Sequence, residues 1–346
     1  MIANRSVLAH VSLITNRKAV FSLGLALCVP VFSLFALAQQ ATITSFDPPG
    51  SLQTEPVSIN SAGAVTGYYS DGSAIHGFLR EPNGSFTSFD PPGGTGTTPT
   101  SINSAGSIAG SFLESQMFHG FLRDPEGNFT TFDPPGSTST TAASLNSAGA
   151  IAGYYTLADH SFHSFVRDPD GTITSFAAAG STSTFAKSIN SAGVITGYYL
   201  DSAQLYHGFV RATDGAITTF LARGGQNCLP QSINSAGEIT GQWGPLNDAH
   251  GFLRAADGTI TTFAPVTPSA GVVPGGINDA GAITGFYVDL HDDLHGFMRR
   301  PDGTFAIFNL PDVQFIFPFS INSAGAITGY YQANDDTTSH GFLLTP

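Results

Sequence analysis

The sequence predicts an all-β fold, a seven-bladed β-propeller of four-stranded blades whose ring is closed by an N-terminal strand. Three observations carry this. The phrase Ser320-Ile-Asn-Ser-Ala-Gly-Ala-Ile-Thr-Gly-Tyr-Tyr331 recurs seven times with small changes. Its Asn falls at Asn60, Asn103, Asn146, Asn190, Asn234, Asn278 and Asn322, every 43 or 44 residues. A period of that length, made of short β-like segments and glycine turns, is the signature of a propeller blade. The second observation is a displaced piece. Residues 41–47 repeat the Phe/Ile-x-x-Phe segment that ends each unit, such as Phe86-Thr-Ser-Phe89, and the last unit lacks its own copy. Pairing 41–47 with the C-terminal blade removes two open sheet edges. The third is composition: only 11% of residues are charged, against about a quarter in ordinary domains, but aromatics also reach 11%. Periodic Phe, Ile, Val and Tyr supply the apolar area that a disordered chain of such polarity lacks.

In chain order, residues 1–38 read as a signal peptide. Arg5, Arg17 and Lys18 precede an apolar run from Ala19 to Leu37, and Ala36-Leu37-Ala38 fits a small-x-small cleavage site. The competing reading is an uncleaved anchor. Cys28 follows Leu27, where a lipoprotein site would want a small residue. Residues 39–346 then form one domain, with repeats beginning near 58, 101, 144, 188, 232, 276 and 320. Removing 1–38 takes away three basic residues and no acidic one, leaving a net charge of −16. Such a surface disfavours nucleic acid and anionic membrane. Cys228 is the one cysteine left, so no intramolecular disulfide is available.

Each repeat reads as four strands. In the second, strand A is about Thr98–Asn103 and strand B about Ser107–Phe112. A variable loop spans Leu113–Met117, strand C is His119–Arg123, and strand D is Asn128–Asp133. Gly63 and its equivalents suit the left-handed position of the A–B turn, and Gly84 and its equivalents that of the C–D turn. Gly67 and its equivalents are expected where neighbouring blades approach closely.

The motif Ile-Asn-(Ser/Asp)-Ala-Gly-x-(Ile/Val)-x-Gly, followed by His-x-Phe-(Leu/Val), resembles the bacterial extracellular HAF repeat. The resemblance covers residues 41–346, with His-Gly-Phe in place of His-Ala-Phe at His76, His119, His207, His250, His295 and His340, and His-Ser-Phe at His163. It implies a secreted β-propeller and no agreed activity.

Candidate chemistry is sparse. The seven histidines occupy equivalent places on separate blades, so they lie on a circle and cannot converge on one metal. Each is expected to hydrogen-bond within or between blades. The seven asparagines read as turn caps, against the alternative of an Asn ring touching a ligand in the axial channel that strand A lines in propellers, and the Arg ending strand C (Arg80, Arg123, Arg167, Arg211, Arg254, Arg299; Leu344 in the last repeat) as structural. A–B and C–D turns share one uniform rim. The B–C and D–A loops share the other, where repeats differ, and variable loops on a rigid scaffold are the usual seat of binding. That rim carries the candidate ligand-binding residues Asp289, His291, Asp292 and Asp293 of the sixth repeat, Asp335 and Asp336 of the seventh, and Trp243, which would stack on a sugar if exposed, against the favoured alternative of a packed aromatic. Asp289, Asp292 and Asp293 are candidate Ca²⁺ ligands, against the alternative of a solvated acidic loop. No other cofactor is suggested. The expected function is an exported, noncatalytic, monomeric binding or scaffold module, acting through the variable B–C and D–A rim on carbohydrate or on an extracellular or periplasmic protein. The alternative is a polysaccharide hydrolase or lyase with an acidic site at the channel mouth.

Overall fold

The computed structural model describes Ser6, Val7 and residues 41–346, except 225, 246–247, 268, 312 and 334–337. The expected signal segment therefore lies outside the described residues, apart from Ser6 and Val7. All regular structure among the described residues is β, arranged as antiparallel four-strand units in the order A-B-C-D. In the first repeat these are Gln53–Ile59, Val65–Ser70, Ile75–Arg80 and Phe86–Phe89. Repeats three to six each form a separate four-stranded sheet. The first two repeats share one eight-stranded sheet through a single parallel bridge, Ile75 to Gly96. In the seventh repeat the outer strand is Thr42–Phe46, paired antiparallel with Ser339–Thr345 from Thr42–Thr345 to Phe46–Gly341. Ser6–Val7 adds a two-residue edge to it. The six sheets replace seven separate ones because strands C and A of successive repeats meet at that one bridge.

The strands run slightly further than the sequence suggested. In the second repeat strand B extends to Glu114 and strand C begins at Met117. The loop between them shrinks to Ser115-Gln116, both at positive φ, the geometry that matches the twist of a two-residue hairpin. The A–B turn is closed by its asparagine: Asn60 Oδ1 accepts from the N–H groups of Ala62 and Ala64, and Gly63 takes φ +88°.

Gly67 is packed against its own sheet, not the next. A Cβ there would strike the backbone of Glu55 and Pro56 in the adjacent strand A, where the register slips between Pro56 and Ser58. The glycine accommodates a β-bulge, which corrects the expectation of close approach between blades.

Contact between neighbouring repeats is made by phenylalanine. The glycine of His-Gly-Phe leaves a slot that the last Phe of strand D fills; a Cβ on Gly120 would lie 2.6 Å from the Phe132 ring. From that slot the ring reaches forward to the strand C Phe of the following repeat. Phe46–Phe78, Phe89–Phe121, Phe132–Phe165, Phe176–Phe209, Phe220–Phe252, Phe263–Phe297 and Phe308–Phe342 all meet edge to face, with centroids 5.9–6.4 Å apart. The strand C Phe is fully buried in every case. The expected structural role of the arginines takes a specific form here. Each guanidinium lies 4.8–5.3 Å from the centroid of the preceding repeat's strand D Phe. Leu344, where an Arg would stand in the last repeat, is buried against Ile43 and Ile327 instead. The core is thus a set of separate clusters between neighbouring sheets, as in other repeat architectures.

Candidate binding channel

Strand A is the innermost strand of each unit, and its asparagines meet along the axis. Every Asn donates its Nδ2 to the backbone carbonyl of the Asn in the next repeat, at 2.9–3.2 Å, and Asn322 donates to Asn60. The caps foreseen in the sequence are therefore also the links between turns. Ile (Leu145 in the third repeat), Asn and Ser (Asp279 in the sixth) from the seven repeats line a cavity of about 340 Å³ at this end.

Further along strand A lies a wider cavity of about 540 Å³. It is lined by Glu55, Val57, Thr98, Thr100, Thr141, Ala143, Lys187, Gln231 and Phe319, joined from strand B by Tyr68, Tyr154 and Phe286. The position three residues before the Asn is decisive. It reads Val57, Thr100, Ala143, Lys187, Gln231, Gly275 and Phe319, a different residue in each repeat, and all seven line this cavity. The next two residues toward the turn, Ser-Ile, vary only at Leu145 and Gly276.

The cavity holds two charged residues, Lys187 and Glu55. Tyr68 donates its hydroxyl to Glu55, and burial together with that carboxylate raises the phenol well above its usual range. Lys187 Nζ sits 6.0 Å from the Tyr154 ring centroid, and burial lowers the ammonium's pKa. Aromatic rings back both sides: Tyr154 against Phe185, and Phe286 against Phe317. Sequence reasoning missed Lys187 and Glu55. The available signal was their place among repeats otherwise alike.

The strand C histidines lie at the loop rim, away from the channel. Each packs against the strand B aromatic opposite it, from Tyr69–His76 to Tyr331–His340, with ring centroids 4.8–5.9 Å apart. His76 and His119 also bond Asp90 and Asp133 at 2.7 Å, and His340 bonds Asp47 at 2.8 Å. The Asp90 and Asp133 carboxylates accept from Thr97 and Thr140 of the following repeat, so two of these histidines reach across a boundary between repeats.

The acidic B–C turns use their carboxylates locally. Asp289 Oδ1 accepts from the N–H groups of His291 and Asp293, and Oδ2 from His295 at 3.2 Å. Those bonds, the His291 N–H first, hold its pKa down to about 2. Asp71 and Asp201 cap their turns in the same way. Asp292 takes φ +66° in the turn, and His291 is largely exposed. Among the described residues no three His, Cys, Asp or Glu side chains gather closely enough to hold a metal. Asp335 and Asp336 lie outside the described residues. Trp243 is 6% exposed, packed against His250 with the Arg223 guanidinium over its ring, the packed alternative rather than an open stacking face. Cys228 is a free, buried thiol, and burial raises its pKa to about 12, leaving it protonated and inert.

No protein-family model and no curated protein matches the chain. The fold recurs among solved structures. A streptogramin B lyase superposes with TM-score 0.57 at 14% identity, over 88% of this chain and 98% of that one. A catalytically inactive virginiamycin B lyase from Staphylococcus aureus, solved with quinupristin, gives 0.59 at 13%, over 88% and 99%. The β-propeller domain of the trilobed protease from Pyrococcus furiosus gives 0.61 at 8%, over 85% and 94%. At these identities the likeness shows a shared architecture: the chain is a β-propeller repeat protein.

Proposed function

We propose that the chain is an exported, noncatalytic propeller of the HAF-repeat kind, with seven blades closed into a ring, that binds a ligand in the wide half of its axial channel. The Asn322–Asn60 bond and the pairing of Thr42–Phe46 with Ser339–Thr345 support ring closure. One observation carries the binding reading: the lining position that differs in all seven repeats. A scaffold alone gains nothing from placing Lys, Gln, Gly and Phe at equivalent points. The ligand enters past the D–A and B–C loops, whose differences then shape the approach. Two-carboxylate hydrolysis needs paired acids, and Glu55 is the sole carboxylate among the described lining residues.

The test is a calorimetric screen of small metabolites and oligosaccharides against the protein and its Ala143→Trp variant. The position tolerates bulk, since Phe319 occupies it in the seventh repeat. Ligands lost on filling the channel support the reading. Ligands held equally by both proteins move binding to the loop rim, and silence across the screen leaves a scaffold.

A further inference from the structure

Resting on the channel reading above, we propose that the ligand is a small organic anion built on a ring, its negative charge held by Lys187 and its ring by the aromatic and aliphatic lining. Lys187 is the only cation among the seven residues at its position. The other six repeats fold with Val, Thr, Ala, Gln, Gly and Phe there, so strand A has no structural need of a lysine. All ion pairs among the described residues join histidine to aspartate, and Lys187 is in none. A half-buried ammonium without a counter-ion is unfavourable, and a bound anion is what would relieve it. Glu55 is three repeats away, and its carboxylate already accepts from Tyr68.

The rest of the lining fits a ring rather than a chain of hydroxyls. Val57, Pro274, Phe286, Pro318 and Phe319 face the cavity, with Tyr154 beside the lysine. Gln231 and Thr100 add a few polar points for orientation. At about 540 Å³ the space is in the range of small-molecule pockets. A carboxylate and a phosphate monoester share the required charge, and the probes below separate them.

The experiment titrates the full chain by calorimetry with 2-naphthoate, 2-naphthyl phosphate, 2-naphthylmethanol and 2-naphthylmethylammonium. The expected result is that at least one anion binds tenfold or more tighter than the alcohol, and the ammonium weakest. Which anion is preferred identifies the source of the charge. Lys187→Gln installs the fifth repeat's choice at this position and so keeps the fold; it should cut anion affinity tenfold or more and leave the alcohol unchanged. Lys187→Arg should retain most of it. Unperturbed Trp243 fluorescence in the two Lys187 variants, and an unchanged Tm in Ala143→Trp, establish that the fold is intact. Equal binding of all four probes, insensitive to Lys187→Gln but abolished by Ala143→Trp, overturns the anion while the channel stands. Probe binding that survives Ala143→Trp overturns the channel itself. Failure of both anions to bind at millimolar concentration also overturns the proposal.

Discussion

A serine in the third repeat predicts a coupled pair in the fourth and fifth. Five of the seven A strands place a proline four residues before the Asn: Pro56, Pro99, Pro230, Pro274 and Pro318. The other two have Ala142 and Ala186, whose N–H groups need an acceptor. Each finds a serine of the preceding repeat: Ala142 N–H donates to Ser111 Oγ at 3.3 Å, and Ala186 N–H to Ser164 Oγ at 2.8 Å. Ser164 replaces the glycine of His-Gly-Phe and donates in turn to Thr184 O. At the fourth repeat, a Cβ on Gly208 would lie 2.7 Å from Phe220 Cζ and 2.9 Å from Pro230 Cγ. Gly208→Ser alone therefore overpacks the boundary and offers its oxygen to a proline with no N–H. Overpacking of this kind costs about 1–3 kcal/mol. Pro230→Ala alone loses packing and strands a buried N–H, at roughly 1–3 kcal/mol. Together they rebuild the Ser164–Ala186 arrangement, so the double variant should be more stable than the sum of the singles predicts by about 1–3 kcal/mol. Urea unfolding followed through Trp243, the only tryptophan and a neighbour in the same sheet as Pro230, measures all four corners of the cycle. Additivity within about 0.5 kcal/mol would falsify the proposed link between serine and alanine.

Other consequences are accessible to simple measurements. Asn146→Ala removes one donor to Asn190 O and two acceptances from Ala148 and Ala150; at about 1 kcal/mol per bond the loss should be roughly 2–4 kcal/mol in the same urea assay. His76 is held above its ordinary pKa chiefly by its bond to Asp90. A raised histidine stabilises the fold fully below the unfolded value near about 6.5 and loses that contribution as pH climbs through the folded pKa. His76→Gln should thus flatten the fall in Tm on the alkaline side of that value and cost most on the acid side. Native Cys228 should resist a thiol reagent such as Ellman's until urea unfolds the chain, because its thiol is buried and protonated. Millimolar Ca²⁺ should raise Tm by less than about 1 °C, since Asp289 is already committed to its own turn.

The period, the turn glycines and the displaced strand at 41–47 were legible because each is a local pattern repeated in sequence. What the seven phenylalanine contacts do was not, because Phe132 and Phe165 are equally apolar letters until strand D is seen to lean into the next repeat. The glycine of His-Gly-Phe looked like a small residue among small residues; its reason is the ring of Phe132 lying where a Cβ would stand. The aromatic neighbours of the histidines follow from cross-strand register, such as Tyr155 opposite His163, which the letters alone do not give. The acidic loops show the same limit. Asp289 and Asp293 look like a ligand set in one dimension, whereas in the turn one carboxylate accepts the other residue's N–H. Lys187 was visible as a letter but not as a site, since nothing local tells which residues of strand A face the axis.

The channel and the scaffold are separable in physical terms. The contacts that join neighbours are the Phe–Phe edges, the Arg–Phe stacks and the Asn–Asn bonds, and these recur at nearly every boundary with little change in geometry. None of them involves the position occupied by Lys187. Stability is therefore spread over many equivalent boundaries, and a single unfavourable group on the axis subtracts from the total without opening any one of them. A half-buried cation without a counter-ion is a net loss to folding. It is tolerated here because the sum is distributed, and it has a use only if something negatively charged comes to meet it. Glu55 differs in that its carboxylate already accepts from Tyr68, so on the proposed reading the lysine and not the glutamate is where an incoming ligand gains most.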